Sequence, residues 1–309
     1  MILTVTLNPT VDKAYEVEKL VLGEVARVQE KRQTAAGKGI QVAKVVKLLG
    51  EDVSATGFIG GHNGEFVKEF LEKAGILTKF IQVEEETRTC VNVKDLSTGR
   101  ITELLEQGGA VPNEKQEEFL DSYKKLLIDC EVVVISGSMP RGIEKEYYYE
   151  LIQLAKDMGK VVLFDSSGEL LAAGIKAKPH VIKPNRAELM ELIGRKISTK
   201  EEVIAAASEI QANGIENVIV SLGGDGAIFV TAEGVFQGTT PNIPIVNTVG
   251  CGDSLVAGFA VGIRRGLPMI DKIKLAMAVS TANALHKETG FFLQEDLDRL
   301  LPMVGAIKL

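Results

Sequence analysis

The sequence is poor in cysteine and histidine, with three residues of each. The cysteines, Cys90, Cys130 and Cys251, have spacings that fit neither a disulfide framework nor a zinc site. The histidines are scattered singly, so they predict neither a metal site nor a catalytic triad. Cys251 has no suitably placed partner base in the sequence, and we interpret it as a small residue that fills a turn.

The sequence also lacks a surplus of basic residues and any long apolar run. Its 35 Lys and Arg residues against 42 Asp and Glu residues give a net charge of −7, which argues against a nucleic-acid partner. No apolar run is long enough to cross a bilayer, and residues 1–9 look like a strand rather than a signal peptide. We therefore expect a cytoplasmic protein without a membrane partner.

Short β-branched runs alternate with amphipathic stretches from residue 113 onward. The runs at 132–135, 161–164 and 218–220 are typical of a parallel sheet covered by helices on both faces. Residues 87–94 and 100–105 flank a Ser-Thr-Gly turn and predict a hairpin. Residues 25–31 alternate with period two, so they predict a strand that joins this hairpin in a small inserted sheet. No internal repeat or linker is evident, so residues 1–309 are expected to form one domain.

The stretch from Asn247 to Ser254 indicates an anion site. Its glycines precede an apolar run, which predicts that the N–H groups of Gly250, Cys251 and Gly252 converge on an anion where a helix begins. Asp253 follows in the first helical turn, where a carboxylate can accept the proton of an attacking hydroxyl during phosphoryl transfer. Taken alone, the residues are equally compatible with an Asp that satisfies a helix dipole beside a glycine turn.

Several residues in the first third of the chain are candidates for binding a sugar phosphate. Asp12 follows the first predicted strand in a loop, where a carboxylate can accept hydrogen bonds from sugar hydroxyls. Gly37 and Lys38 open a predicted helix, which suggests close backbone approach to a ligand beside one positive charge. Arg27 and Arg88 lie on the small sheet, and arginine is the preferred clamp for phosphate. The alternatives are a turn-forming Asp and ordinary solvated arginines.

The second half of the chain carries candidates for binding a nucleotide and a metal. Asn185 and Glu188 share a helix face and suit a hydrated Mg²⁺, and Lys183 is placed to reach a phosphate. A helix capping box is the alternative for the pair.

Three loops follow predicted strands and are candidate ligand loops. The loops 136–140, which contains Ser138, and 165–168 are expected at the carboxyl edge of the sheet. In the third, Ser221, Gly223 and Gly226 offer backbone against which a base or phosphate can lie, or form a simple turn.

The whole chain resembles the ribokinase-like (phosphofructokinase B) family of sugar kinases. Within the family it is similar to the branch that acts on ketohexose phosphates: tagatose-6-phosphate kinases, 1-phosphofructokinases and minor 6-phosphofructokinases. Three positions depart from the family pattern: Ala36 and Gln41 replace a Gly and an Asn, and Cys251 replaces the usual Ala or Ser. The resemblance rests on an ordered set of motifs: Leu7-Asn8-Pro9 with Asp12, Gly37-Lys38-Gly39, Thr87-Arg88, Ser136-Gly137-Ser138-Met139-Pro140, Lys183-Pro184-Asn185 with Glu188, Ser221-Leu222-Gly223, and Val249-Gly250-Cys251-Gly252-Asp253-Ser254.

This resemblance implies an α/β fold, a three-layer sandwich with a mostly parallel central sheet and a small β-sheet lid inserted from about 13–34 and 87–106. It also implies ATP and Mg²⁺ as cofactors and a homodimer formed through the lid. The implied roles are: Asp253 as base; Gly250, Cys251 and Gly252 as anion hole; Asp12, Gly37 and Ser138 on the sugar; Arg27, Lys38 and Arg88 on its phosphate; Lys183, Ser221, Gly223 and Gly226 on the nucleotide; and Asn185 and Glu188 on Mg²⁺ through water.

The implied reaction is ATP-dependent phosphorylation of a ketohexose monophosphate to a bisphosphate. Residues 102–108 and 287–290 resemble those of tagatose-6-phosphate kinases, so tagatose 6-phosphate is the expected substrate and fructose 1-phosphate the alternative. Two other classes were weighed. A dinucleotide oxidoreductase would need a G-x-G-x-x-G turn after the first strand, which is missing. A non-catalytic sugar-phosphate sensor would not need Asp253 together with Asn185 and Glu188.

Overall fold

The computed structural model describes residues 1–309, which form fifteen strands and ten α-helices. The strands are β1 (Ile2–Thr6), β2 (Thr10–Val17), β3 (Val28–Ala36), β4 (Val53–Gly60), β5 (Leu77–Thr78), β6 (Ile81–Val83), β7 (Thr89–Asp95), β8 (Ile101–Leu105), β9 (Val132–Ser136), β10 (Val161–Asp165), β11 (Val181–Ile182), β12 (Asn217–Ser221), β13 (Ala227–Thr231), β14 (Gly234–Thr239) and β15 (Gly305–Lys308). The helices are α1 (Lys38–Leu48), α2 (Gly61–Lys73), α3 (Asn113–Ile128), α4 (Tyr147–Asp157), α5 (Gly168–Gly174), α6 (Arg186–Ile193), α7 (Lys200–Ala212), α8 (Cys251–Arg264), α9 (Met269–Asn283) and α10 (Gln294–Leu300).

Eleven strands form a central sheet in the order β15-β14-β13-β12-β11-β10-β9-β1-β4-β5, with β6 also paired to β4. The pairs from β12 through β11, β10, β9 and β1 to β4 are parallel. The pairs β12–β13, β13–β14 and β14–β15 are antiparallel. The prediction of a mostly parallel sheet is therefore confirmed, and the parallel strands place their carboxyl ends at one edge.

Two hydrophobic cores lie on the two faces of this sheet, because alternate residues of each strand point to opposite faces. In β9, Val132 and Val134 belong to one core, while Val133 and Ile135 belong to the other. The first core packs against α1, α2, α8, α9 and α10, and the second against α3 to α7. The predicted three-layer sandwich is confirmed. No helix is long and apolar enough to span a membrane.

The lid is a separate four-stranded sheet in the order β3-β2-β7-β8. The predicted hairpin is present as β7 and β8, which pair in antiparallel register. The predicted strand at 25–31 has the wrong limits, because Val17 pairs with Val28 and no residue of β2 lies opposite Arg27. Arg27 therefore lies in the loop before β3, where it is exposed.

The position predicted for Asp12 was also wrong. Pro9 separates β1 from a new strand, and Asp12 lies inside β2, opposite Thr34 and Cys90. Residues paired across neighbouring strands share a face of the sheet, so Asp12 lies on the same face of the lid as Thr34 and Cys90. Asp12 is thus held by the lid and not by a loop of the central sheet.

Candidate active site

The carboxyl edge of the central sheet brings together the ends of three neighbouring strands. Asp165 is the last residue of β10, Lys183 follows β11, and Ser221 is the last residue of β12. Asn185 forms an isolated bridge to Ser221, so the loops after β11 and β12 lie side by side. Ligands of open α/β sheets bind at this edge, where strand ends converge.

A cluster of buried charges lies at this edge. Asp165 Oδ1 is 3.3 Å from Lys38 Nζ and 3.5 Å from Lys183 Nζ. Asp165 and Lys183 are only 1% and 6% exposed, whereas Lys38 is 36% exposed. The ion pair raises the pKa of Lys38 against the opposing effect of burial, so that ammonium stays charged. Two lysine ammonium groups are therefore held beside one carboxylate.

The start of α8 faces this cluster. Gly250 precedes the helix with a φ of 81°, a left-handed conformation that side chains other than glycine rarely adopt. The N–H groups of Gly250, Gly252 and Asp253 donate to no carbonyl in the structure, whereas Cys251 N donates to Thr248 O at 3.3 Å. A Cβ placed on Gly252 would lie 3.2 Å from Lys183 Nζ. The unpaired amides thus adjoin a lysine, as an anion site requires.

One of the three backbone amides predicted to form the anion hole is therefore different in the structure. The amide of Cys251 is bonded within the turn, and the amide of Asp253 takes its place among the unpaired donors. The thiol of Cys251 lies near Asn283 Nδ2 at 3.5 Å. Burial raises its pKa, so the thiol is not activated, in agreement with the interpretation of Cys251 as a small turn residue.

The carboxyl group of Asp253 is strongly perturbed by its surroundings. Burial, and then the negative charge of Asp165, raise its pKa from 3.8 to about 7, although Lys38 and Lys183 act in the opposite direction. A base whose pKa lies near neutral pH is well matched to accepting a proton from an alcohol. Asp253 combines this pKa with a position in the first turn of α8, beside the unpaired amides.

Asn185 and Glu188 form the capping box that was the alternative to a metal site. Asn185 Oδ1 accepts from Glu188 N at 2.9 Å, and Glu188 Oε2 accepts from Asn185 N at 2.8 Å. Glu188 Oε1 makes no hydrogen bond, and the charge of Glu188 contributes to the raised pKa of Asp253. Asp165 Oδ2 is buried without a partner. One oxygen of each carboxylate thus has no hydrogen-bond partner in the protein.

These oxygens fit Mg²⁺ in the way that kinases use it. No group of three or more His, Cys, Asp and Glu side chains forms a metal site on its own. Mg²⁺ keeps several waters and binds through one or two carboxylates together with substrate phosphates. Glu188 and Asp165 each have one carboxylate oxygen without a hydrogen-bond partner, and these two oxygens suit such an ion.

The loop after β12 has glycines with two different roles. Gly223 has open space around its Cα, so its backbone is accessible to a ligand. A Cβ on Gly226 would lie only 2.0 Å from Gly238 O, so Gly226 is required by its contact with β14. Ser221 N donates to Pro184 O at 3.1 Å, which ties this loop to the Lys183 loop. The packing explains Gly226 without a nucleotide, whereas Gly223 remains a candidate.

Arg88 and Ser138 are brought together at a second polar centre. Arg88 donates to Asn8 O at 3.0 Å, to Glu106 O at 2.9 Å and to Ser138 Oγ at 3.3 Å. Asn8 Nδ2 also donates to Ser138 Oγ, at 3.2 Å. Arg88 Nε is buried without a partner, so one donor of the guanidinium is unused.

A cavity of about 420 Å³ separates the lid from the body of the protein. Asp12, Asn92 and Glu103 line it from the lid, and Phe70 and Thr289 from the body. The Oδ1 atoms of Asp12 and of Asn92 are buried without a partner. Burial raises the pKa of Asp12 to about 6, with Arg88 opposing the shift. The cavity is therefore lined by polar side chains, among them Asp12, Asn92 and Glu103, of the kind that bind hydroxyl groups.

The other two residues predicted to hold the sugar's phosphate have different surroundings. Lys38 directs its ammonium to Asp165 in the charge cluster. Arg27 forms no hydrogen bond or ion pair through its side chain and does not line the cavity. Gln41 donates to Thr289 Oγ1 at 2.8 Å and accepts from Lys44 Nζ at 3.3 Å, so it links α1 to the loop after α9.

Sequence reasoning did not select three residues of this site. Asp165 was placed only in a candidate loop, although its position as the final residue of a buried strand was a usable signal. Asn92 lies in the middle of β7, where nothing in its neighbours distinguishes it. Lys44 lies on a helix face of ordinary appearance, yet it is 7% exposed and donates to Glu288 and Thr289 O.

Comparison with known proteins gives one consistent result. The profile described as pfkB family carbohydrate kinase matches residues 5–296. The chain is 38% identical over 311 residues to a tagatose-6-phosphate kinase of Staphylococcus epidermidis, covering 100% of both chains. It is also similar to a structure from Thermotoga maritima described as a possible 1-phosphofructokinase, with a TM-score of 0.90 and 29% identity, covering 100% of this chain and 99% of that one. A structure of Escherichia coli phosphofructokinase-2 with fructose 6-phosphate has a TM-score of 0.89 and 26% identity, covering 98% of each chain.

The burial of Asp253 predicts a pH-dependent gain in stability for Asp253→Asn. Between pH 3.8 and about 7 the folded state binds the proton more tightly than the unfolded state, so ionised Asp253 destabilises the fold as pH rises. The variant should be more stable than the wild type at pH 8, by at least about 1 kcal/mol, and the gain should shrink as pH falls to 5.

Thermal melts at pH 5 and pH 8 measure this difference. Asp52→Asn, at an exposed position beside β4, is the control. A gain in Tm that is equal at both pH values would contradict the raised pKa of Asp253.

Proposed function

The chain belongs to the pfkB family of carbohydrate kinases, and from this premise we propose that it phosphorylates tagatose 6-phosphate to tagatose 1,6-bisphosphate with ATP. It is a phosphotransferase with an alcohol group as acceptor, and its relatives indicate a hexose phosphate as substrate. The full-length identity of 38% to a tagatose-6-phosphate kinase favours that sugar. Fructose 1-phosphate is the second candidate, because the structural similarity extends to a possible 1-phosphofructokinase.

The observation that carries the proposal is the meeting of Asp253 with unpaired amides and two lysines at one edge of the sheet. In the proposed reaction Asp253 accepts the proton of the attacking sugar hydroxyl. The amides of Gly250, Gly252 and Asp253 donate to the phosphoryl group as it transfers, where charge develops on its oxygens. The transition state is loose, so positioning and charge neutralisation contribute more than activation of the hydroxyl.

Lys183 and Lys38 would bind the phosphates of ATP. Lys183 adjoins Gly252, and both lysines are oriented by Asp165. We therefore reassign Lys38 from the sugar's phosphate to the transferring group. Glu188 and Asp165 would hold Mg²⁺, directly or through water, and the ion would neutralise charge on the phosphates. Ser221 and Gly223 border the same edge and would accommodate the nucleotide.

The phosphate already on the sugar would bind at the second polar centre. Arg88 would supply the positive charge there, and Ser138 Oγ lies 3.3 Å from its guanidinium. Asp12 lines the cavity and would accept hydrogen bonds from the sugar hydroxyls through its carboxylate. Gly37, which directly precedes α1, would contact the sugar through its backbone. Arg27 would contribute only if its loop moved toward the site or if it served another copy of the chain.

We also propose that two copies associate through their lids. All five residues of the edge strand β8 are exposed, among them Ile101, Leu104 and Leu105 at 51%, 60% and 65%. An unpaired apolar edge strand is a liability for a monomer, and pairing with a second copy removes it. The cytoplasm is the compartment we propose, because its reducing conditions suit three free cysteines.

A coupled assay of ADP release tests the proposed substrate. Tagatose 6-phosphate, fructose 1-phosphate and fructose 6-phosphate are compared at equal concentrations, and tagatose 6-phosphate should give the highest kcat/KM. A higher kcat/KM with fructose 1-phosphate would establish the second candidate. No ADP release with any of them, while sugar phosphate still binds in calorimetry, would support a non-catalytic sensor.

The role of Arg88 predicts a selective defect. Arg88→Met should raise KM for the sugar phosphate by about ten-fold or more and leave KM for ATP nearly unchanged, because a charge-assisted contact to phosphate is lost. Arg195→Met, which removes an exposed arginine paired with Glu209, is the control. Equal increases in both KM values would exclude Arg88 as a specific phosphate ligand.

The lid interface predicts a change of oligomeric state. Leu104→Glu should shift the protein from dimer to monomer in sedimentation velocity, because a charge would be buried between the lids. Leu77→Glu is the matched control, since Leu77 is equally exposed, at 60%, on the edge strand β5 of the central sheet. A dimer that persists in Leu104→Glu would place the interface elsewhere.

A further inference from the structure

The amides that would bind the transferring phosphoryl group are held from behind by helix α9. Asn283 is fully buried, and its Nδ2 donates to Val249 O at 3.0 Å. Ser280, one turn earlier on the same helix, donates through Oγ to Cys251 O at 2.9 Å. Residues three apart on a helix share a face, so both side chains reach the turn before α8 together.

The two carbonyls that accept these hydrogen bonds belong to the same peptide groups as two of the unpaired N–H donors. Val249 C=O and Gly250 N–H belong to one peptide group, and Cys251 C=O and Gly252 N–H to another. A peptide group is planar and trans, so its carbonyl and its N–H point in opposite directions. Fixing the carbonyl therefore fixes the direction of the N–H. The two N–H groups concerned, those of Gly250 and Gly252, are among the unpaired donors of the site.

The rest of the surroundings support the same role. Asn283 Oδ1 accepts from Gly290 N at 2.8 Å, which anchors the amide side chain and orients Nδ2 toward Val249. A Cβ on Gly250 would lie 3.2 Å from Gly290 N and 3.4 Å from Asn283 Oδ1. The back of Gly250 is thus packed against the loop after α9, and the turn has no space to rotate.

We propose that Ser280 and Asn283 are positioning residues for phosphoryl transfer, which aim the N–H groups of Gly250 and Gly252 at the transferring phosphoryl group. Hydrogen bonds to the carbonyls also polarise the peptide groups and strengthen their N–H donors. The inference rests on the proposed role of these amides and assigns to α9 a part in catalysis without contact to substrate. Because the amides act mainly on the transition state, loss of the two side chains lowers kcat more than it weakens substrate binding.

Ser280→Ala is the first test, since it deletes one hydroxyl from a half-buried position. We expect kcat to fall about ten-fold, less than the loss of an anion-hole donor itself, with KM for ATP and for the sugar phosphate within about two-fold. Inhibition by ADP with aluminium fluoride, which mimics the transferring phosphoryl group, should weaken by the same factor as kcat. Ser280→Thr keeps the hydroxyl and should restore most of the activity.

Thr281→Ala is the matched control. Thr281 is the next residue of α9, is 6% exposed, and donates only within the helix, to Met277 O at 2.7 Å. This variant should lower Tm without lowering kcat or the affinity for ADP with aluminium fluoride. Equal losses of kcat in Ser280→Ala and Thr281→Ala would show that the fall in kcat comes from a less stable helix α9. That result would overturn the inference.

Asn283→Asp is the second test, because it retains the acceptor for Gly290 N–H and removes the donor to Val249 O. The expected result is again a fall in kcat with little change in KM. If this variant does not fold, the comparison of Ser280→Ala with Ser280→Thr tests the inference by itself. Unchanged kcat in Ser280→Ala, with an active wild type, overturns the inference, whereas an inactive wild type would instead contradict the proposed function.

Discussion

The site depends on the balance between two carboxylates, Asp165 and Asp253, and two lysines, Lys38 and Lys183. Asp165 is almost completely buried, and both ammonium groups lie within 3.5 Å of its carboxylate, which a buried charge requires as compensation. The negative charge of Asp165 in turn raises the pKa of Asp253. Removal of either lysine would leave the buried carboxylate of Asp165 with only one neighbouring ammonium group. The two ammonium groups lower the pKa of Asp253 while Asp165 raises it, so the protonation of Asp253 depends on all three neighbours.

This balance also explains why unpaired amides are needed beside the lysines. The phosphates of ATP bring further negative charge to a place where carboxylates already offset the ammonium groups. Backbone N–H groups donate hydrogen bonds without adding a charge that titrates, and they are fixed before the ligand arrives. A left-handed Gly250, with a φ of 81°, turns the chain so that these donors face the lysines. In the proposed reaction these N–H groups would stabilise the transferring phosphoryl group without adding a positive charge beside Asp253.

The sequence was sufficient for those features that depend on local pattern. The buried runs around 132–135 and 161–164, the hairpin of the lid and the glycine turn before Asp253 each have signals in neighbouring residues, and all are present. Features that depend on distant contacts could not be predicted. Lys38 was assigned to the sugar's phosphate by the family resemblance, whereas its partner Asp165 lies 127 residues away in the sequence. Likewise, nothing near Asn283 in the sequence indicates that its amide reaches Val249.

The proposed catalytic groups and much of the proposed sugar site lie on different parts of the fold. The charge cluster and the amides lie on the central sheet and on α8, whose residues from Ser254 to Gly262 are all buried. The proposed sugar site lies partly on the lid, whose residues Asp12, Asn92 and Glu103 line the cavity. A substitution on the lid can alter which hydroxyl is bound without disturbing Asp165 or the lysines. Under the proposed function, the same edge would serve hexose phosphates that differ at a single carbon, with lid residues contributing to the discrimination.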